Sequence, residues 1–281
     1  MEIDTPMDFC LEIQNRTTFS QAIEIVHHTL ATATLSIEKD EEPNSVIMRI
    51  DAMDSSHCCA VKMRFKCTGM VIPQGIVVSL KLKTLLALLK TTPNSETIKI
   101  CRATGADNVQ LKCLPNMGSE THQYNMKTLD EEYNPVPIND IESSLTVEFD
   151  TQKLKSYIRV AKDIRSEVIR LRIFSRDQQN IIFCLSCEGE ESDGQWEYHF
   201  TNQVSDNGTY QFCIAPESKA KVPVEAMYDA SFDVKFLDQF VRAMDRSSVV
   251  MAMCNDHPLV IEYNLGQEDA SVKFVLAPKT T

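Results

Sequence analysis

Apolar and polar residues alternate with a period of two along most of this chain. Runs at 46–51, 60–65, 97–102, 109–114, 168–174, 249–254, 259–264 and 272–276 read as strands with one buried face. Four segments switch to helical spacing: residues 19–30, 79–92, 151–163 and 234–247. In the third, Leu154, Tyr157, Ile158 and Ala161 form one apolar face; in the fourth, Phe236, Leu237, Phe240 and Val241 do. Asp150 ahead of Thr151 supplies a cap for the third helix.

The order of elements repeats. A strand at 9–13 leads to a helix, strands, a second helix and more strands. From residue 145 the same order begins again, with a strand at 145–149 and the helix at 151. Between the halves lie Asp130-Glu-Glu and Asn134-Pro-Val-Pro137, with no apolar periodicity. Prolines and carboxylates without an apolar face make a connector that crosses a surface. The pattern predicts an α+β protein of two similar domains, 1–127 and 144–281, joined by a connector at 128–143. Each domain packs two helices on β-sheets.

Composition narrows the chemistry. The 281 residues include only 8 glycines, all isolated, so no G-x-G-x-x-G or Walker phosphate loop is present. Nucleotide-cradling enzymes of the common kinds are therefore excluded. No apolar run reaches the length of a membrane span, and residues 1–30 carry no signal-peptide pattern. Ten cysteines without a secretion signal point to a reducing compartment and free thiols. Cys184-Leu-Ser-Cys187 is the only C-x-x-C, and its strand pattern sends the two thiols to opposite faces. Small buried hydrophobes are the reading preferred over metal or redox chemistry. The acidic stretch Glu188-Gly-Glu-Glu-Ser-Asp193 lacks the spacing of a calcium loop. No residue order proposes a reaction, so neither a catalytic site nor a metal or cofactor is expected. A thiol-dependent enzyme built on Cys184 and Cys187 stands as the remote alternative.

The net charge of −12 predicts repulsion from nucleic acid and anionic membrane for the chain taken whole. Its distribution says otherwise. The four helical segments hold ten Lys or Arg against four acids, a net +6 that leaves −18 on everything else. Basic residues can simply solvate an outer helix face, but such faces usually mix signs. If the helices share a surface, an acidic protein carries a basic strip that suits phosphate contact rather than base reading.

Four motifs then stand in order: Asp51-Ala-Met-Asp-Ser-Ser-His57, Tyr124-Asn-Met-Lys-Thr-Leu-Asp130, Asp256-His-Pro-Leu-Val-Ile-Glu-Tyr263 and Val272-Lys-Phe-Val-Leu-Ala-Pro-Lys279. Together they resemble the sliding clamps of DNA replication, the proliferating cell nuclear antigen family. The resemblance implies a DNA-clamp fold assembling into a closed homotrimeric ring, helices lining the hole and sheets forming the wall. It implies a processivity factor that encircles duplex DNA without sequence readout and docks replication and repair enzymes, DNA polymerase among them. A clamp loader is a further implied partner, and no membrane is. The implied site of action is the nucleus, or a cytoplasmic replication site if the source is a large DNA virus.

The resemblance also assigns residues. Lys81, Lys83, Lys90, Lys153, Lys155, Arg159, Lys162, Arg242 and Arg246 would face DNA, with Lys90, Lys155, Arg159, Lys162 and Arg242 at the best-matched positions. The first helix departs: Ser20, Gln21 and His27 stand where clamps carry lysines, which leaves a pH-dependent contact through His27 and His28, or a merely solvated face. His122, Tyr124 and Met126 on one strand and Trp196, Tyr198 and Phe200 on another match the strands that pair between subunits. Met53, His57, Cys58, Val136, Ile138, Pro258, Val275, Leu276, Ala277 and Pro278 match the pocket for a short hydrophobic-aromatic partner peptide, with core packing an equal reading for Leu276. A subunit of a heteromeric checkpoint-type clamp, or a non-ring processivity factor, is the alternative on the same fold.

Overall fold

The structure, a computed structural model, describes residues 6–91, 97–114, 122–133, 135–136, 145–175, 180–201, 212–214, 226–242, 248–255, 257–266 and 270–279. The chain divides into two compact units. Unit 1 takes in residues up to 54, 61–136 and 264–272; unit 2 takes in 55–60, 137–263 and 273 onward. The main division, at 136/137, lies inside the stretch 128–143 read as a connector.

Unit 1 runs β1 (Met7–Ile13), α1 (Arg16–His27), β2 (Thr32–Lys39), β3 (Ser45–Met53), β4 (Cys59–Val71), β5 (Ile76–Lys81), α2 (Leu82–Lys90), β6 (Thr97–Ala103), β7 (Asn108–Leu114) and β8 (His122–Lys127). Strand β2 lies between β3 and β5, and β1-β6-β7-β8 are successive neighbours. Unit 2 runs β9 (Leu145–Asp150), α3 (Thr151–Asp163), β10 (Val168–Ser175), β11 (Asn180–Glu188), β12 (Asp193–Thr201), β13 (Phe212–Ile214), β14 (Ala226–Asp233), α4 (Val234–Arg242), β15 (Ser248–Met253), β16 (Leu259–Asn264) and β17 (Ala270–Leu276). Here β10 lies between β11 and β14, and β9-β15-β16-β17 are successive neighbours. The two lists are one topology written twice, which the element order in the sequence had anticipated.

Local chemistry explains where the helices begin. The Asn15 side chain accepts the Thr18 N–H at 3.0 Å and starts α1 three residues earlier than the apolar spacing indicated. Asp150 does the same for α3, accepting the Lys153 N–H at 2.8 Å. At 79–81 the sequence reading needs correction. These residues continue β5, with Ser79 opposite Thr34 and Lys81 opposite Thr32. Lys81 therefore caps α2 from the strand side instead of sitting on the helix. The run Ile76-Val-Val-Ser-Leu80 is β-branched enough to hold the ladder, whose hydrogen bonds outweigh helical spacing there.

Each helix buries one stripe. In unit 1, Phe19, Ile23 and Val26 of α1 and Leu82, Leu85 and Leu89 of α2 are buried, and Phe19 meets Phe65 of β4 edge-on at 5.2 Å. In unit 2, Leu154, Ile158 and Ala161 of α3 and Phe236, Leu237 and Phe240 of α4 are buried, and Phe240 stacks on Phe274 of β17 at 4.2 Å. Within each unit the two helices also pack on each other. Truncating one of these buried Leu or Phe side chains costs about 2–5 kcal/mol.

A second correction concerns the thiols. Cys10 of β1 and Cys101 of β6 stand opposite each other in the antiparallel register, Cα atoms 4.1 Å apart, and are joined as a disulfide. Period-two patterning puts a residue on a face but does not say what stands across from it. Cys67, Cys184, Cys187 and Cys254 are free thiols. Burial pushes the Cys67 thiol up to about 12, as expected of a small core residue.

Candidate nucleic-acid interface

Because α3 buries the stripe through Leu154 and Ile158, the 100° step between residues turns Gln152, Ser156, Arg159 and Asp163 outward. Arg159 is 84% exposed and reaches only loosely, at 3.9 Å, to Asp163. Lys162 leans instead toward α4, where its Nζ lies 2.8 Å from Asp238 Oδ2. Arg242, one turn along α4, donates to the same oxygen through Nε at 3.0 Å. Burial raises the Asp238 pKa, but hydrogen bonds from Arg242 and Lys162 outweigh it and hold the carboxyl below its ordinary range. Asp238 is therefore charged at neutral pH and ties two basic side chains at the seam between the helices. Lys155 is half-buried, and Lys153 Nζ lies 5.9 Å from the Tyr198 ring centroid.

Unit 1 presents fewer cations. Lys83 and Lys90 are exposed on α2, and Lys90 Nζ pairs with Glu24 Oε1 of α1 at 2.7 Å. Arg16 donates from Nε to the Leu89 carbonyl at 3.0 Å, placing a cation at the C-terminus of α2. Arg16 precedes the apolar spacing that starts at Phe19, so only the Asn15 cap places it on the helix. His27 donates from Nδ1 to the Leu30 carbonyl at 3.4 Å, and its ring lies 6.5 Å from that of His28. With the observed boundaries the four helices hold nine Lys or Arg against three acids, again a net +6. Arg246 lies outside the described residues.

Among the described residues, strands β8 and β12 each close one end of a sheet: β8 pairs with β7, and β12 with β11. On β8, His122 is exposed, Tyr124 half-buried and Met126 buried opposite Val109. The rings of His122 and Tyr124 stack in parallel at 6.4 Å, and Thr91 meets the Tyr124 hydroxyl at 3.3 Å. Strand β12 is backed by aromatic groups. Trp196 stacks on Tyr157 of α3 at 4.4 Å, and Tyr198 packs against Phe149 at 5.5 Å and joins its hydroxyl to that of Tyr157. Helical spacing shows Tyr157 only as part of the apolar stripe of α3; no local spacing announces a partner about forty residues away. The side chain of Phe200 lies outside the described residues.

The positions matched to a partner pocket fall in both units. Met53, exposed at the end of β3, and Val136, half-buried, belong to unit 1. In unit 2, His57 and Cys58 are exposed on a turn where His57 takes φ 57°. The C-terminal strand is strapped beside that turn: the Ala277 N–H donates to the Cys58 carbonyl at 2.9 Å, and the Lys279 N–H to the Ser231 carbonyl at 2.7 Å. Ala277 and Pro278 are exposed and Pro258 is half-buried, while Val275 and Leu276 are buried. For Leu276 the structure agrees with the core reading. Ile138 lies outside the described residues.

Cys184 and Cys187 are both buried in β11, and Glu190 of the acidic turn pairs with Arg165 at 3.2 Å. Among the described residues no group of three or more His, Cys, Asp or Glu is placed to hold a metal ion.

Two units of one antiparallel topology, each carrying a packed helix pair, define the class: this is an α+β chain with the DNA-clamp fold. Its fold matches the crystal structure of the proliferating cellular nuclear antigen from Entamoeba histolytica with a TM-score of 0.77 at 16% identity, over 98% of this chain and 100% of that one. In sequence it is 22% identical over 234 residues to the proliferating cell nuclear antigen of Chaetomium thermophilum, spanning 82% of this chain and 84% of that protein. No protein-family model matches the sequence. The chain is thus similar to proliferating cell nuclear antigen along nearly its whole length, as the four motifs indicated.

Proposed function

We propose that this chain is a replication sliding clamp. Three copies close head-to-tail into a ring that encircles duplex DNA, holds DNA polymerase and repair enzymes on it, and has no catalytic chemistry of its own. The observation that carries the reading is the charge separation. A chain of net −12 places +6 on the helices of a fold matched to proliferating cell nuclear antigen. Three copies set about +18 along the hole of a particle of about −36, a field that draws a polyanion inward and repels it elsewhere. Threading supplies retention, so phosphate contacts need only be weak.

Ring closure is assigned to β8 of one protomer pairing with β12 of the next. Both stand at sheet ends among the described residues, and β12 carries Asp193 and Glu197 while β8 carries Lys127. Partner peptides are assigned to the exposed turn at His57 and Cys58 and the strapped segment at Ala277 and Pro278.

Native mass and polymerase processivity test the proposal together. A particle of about 95 kDa that lengthens polymerase products, and loses that effect in Arg159→Glu with its mass unchanged, is the expected result. A processivity effect from a particle of about 32 kDa selects the non-ring reading, and a need for other chains selects the heteromeric one. Unchanged stimulation by Arg159→Glu removes the channel assignment.

A further inference from the structure

The helix cations assigned to phosphate contact do not all face solvent unopposed. Lys162 and Arg242 share Asp238, and Lys90 is held by Glu24. We propose that Asp238 and Glu24 are built-in counterions, carboxylates that stand in for phosphate at the helix seams and hold the clamp's grip on DNA below what its cations allow. The inference rests on the clamp reading above.

Geometry and charge carry it. The Asp238 side chain is 16% exposed, beneath Lys162 and Arg242 at 44% and 55%. The two cations thus keep donors toward solvent while their carboxylate sits behind them. A phosphate arriving at this seam meets a net charge of +1 where the cations alone give +2, and it competes with an anion already hydrogen-bonded. Counterion release makes each neutralised phosphate count separately in the salt dependence of binding, so a permanent internal anion removes part of that dependence.

The unit 1 seam repeats the arrangement with the roles exchanged. There the acid lies on the first helix of the pair and the cation on the second; in unit 2 the acid lies on the second. Copying one unit from the other cannot produce that exchange, because Asp238 and Glu24 occupy different positions in the repeated topology. Two separate placements therefore reach one result. A ring that must slide gains from it, since tight phosphate contacts would have to break at every step.

The test uses the full-length protein and a fluorescent mixed-sequence DNA duplex, with affinity measured by anisotropy from about 50 to 200 mM salt. Asp238→Asn should bind at least about threefold more tightly at the low-salt end, and log affinity against log salt should steepen by up to about 0.9 for each protomer engaged. Diffusion of the ring along DNA should slow. An unchanged or shallower slope, or weaker binding because the cations have lost their anchor, overturns the inference. Glu24→Gln supplies the same readout from an exposed pair, and so answers even if Asp238→Asn does not fold. Arg159→Glu runs in parallel, because Arg159 lies outside both seams. If it fails to weaken binding, the channel assignment is lost and the counterion inference with it. If it weakens binding while neither acid variant steepens the slope, only the counterion inference is lost.

Discussion

The two units share a topology but not an outer surface. On the observed boundaries the helix pair of unit 1 holds Arg16, Lys83 and Lys90 against Glu24, a net +2. The pair of unit 2 holds six Lys or Arg against Asp163 and Asp238, a net +4. One of the three unit 1 cations, Arg16, is moreover turned onto the Leu89 carbonyl. The end strands differ as well: β8 offers mostly polar side chains, whereas Trp196 and Tyr198 of β12 rest on Tyr157 and Phe149. What the repeat holds constant is the apolar pattern that packs helix on sheet. What it leaves free is the solvent side, where the charge and the aromatic surface have gathered in unit 2.

The largest effect should come from the aromatic edge. Trp196→Ala removes the stack on Tyr157 and loosens Tyr198, so native mass should fall from about 95 to about 32 kDa at micromolar concentration. Tyr124→Ala, on the polar edge, should produce a smaller shift that higher concentration reverses. Equal shifts from both would erase the contrast between the strands, and an unaltered mass in both would refute the interface assignment.

Charge reversal sharpens the comparison next. At about 100 mM salt, Arg159→Glu should lower duplex affinity about tenfold, against about threefold for Lys83→Glu, because unit 2 carries the denser field. If the ranking inverts, unit 1 is the gripping half.

Much of this was legible in the sequence, and the rest was hidden for a physical reason. Period-two alternation and helical stripes report which face of an element is buried, so the repeated element order and the charged helices could be read directly. The same signal is silent about register. The Cys10–Cys101 pair, the Trp196–Tyr157 stack and the Lys162–Asp238 bridge each join elements by pairing that no local pattern encodes. The Asp238–Arg242 half of the seam was readable, being spaced i,i+4 on one helix. The start of α2 was misjudged where apolar strand and apolar helix run together without a breaker, from Ile76 to Leu89. Arg16 carries no apolar signal of its own, and only the Asn15 cap puts it on α1.

Caps offer a smaller contrast. Asp150 and Asn15 make the same hydrogen bond, and each helix has a cation and no acid in its first turn, Lys153 in α3 and Arg16 in α1, but only the Asp150 cap is charged. A charged cap offsets such a cation and the helix dipole together. Asp150→Ala should therefore cost between about 1 and 2 kcal/mol and Asn15→Ala between about 0.5 and 1 kcal/mol, read from urea midpoints at unchanged slope. Equal losses would mean that the hydrogen bond alone matters and the uneven charge does not.

The smallest expected effect lies in the pH dependence of the unit 2 seam. The folded-state pKa of Asp238 is lowered: burial opposes this, but the hydrogen bonds from Arg242 and Lys162 prevail. A depressed carboxyl stabilises the fold fully above the unfolded value of about 3.9 and loses that contribution as pH falls through the folded pKa below it. Because Lys162 and Arg242 are about half exposed, solvent screening holds the contribution to about 1 kcal/mol or less. The stability gap between the native protein and Asp238→Asn should then stay level from about pH 5 to 8 and close below about pH 4. Glu24→Gln, breaking a more exposed pair, should show a narrower gap throughout. A gap that widens on acidification would mean that Asp238 is held against its preference, and that the seam of unit 2 strains the fold where it has been taken to secure it.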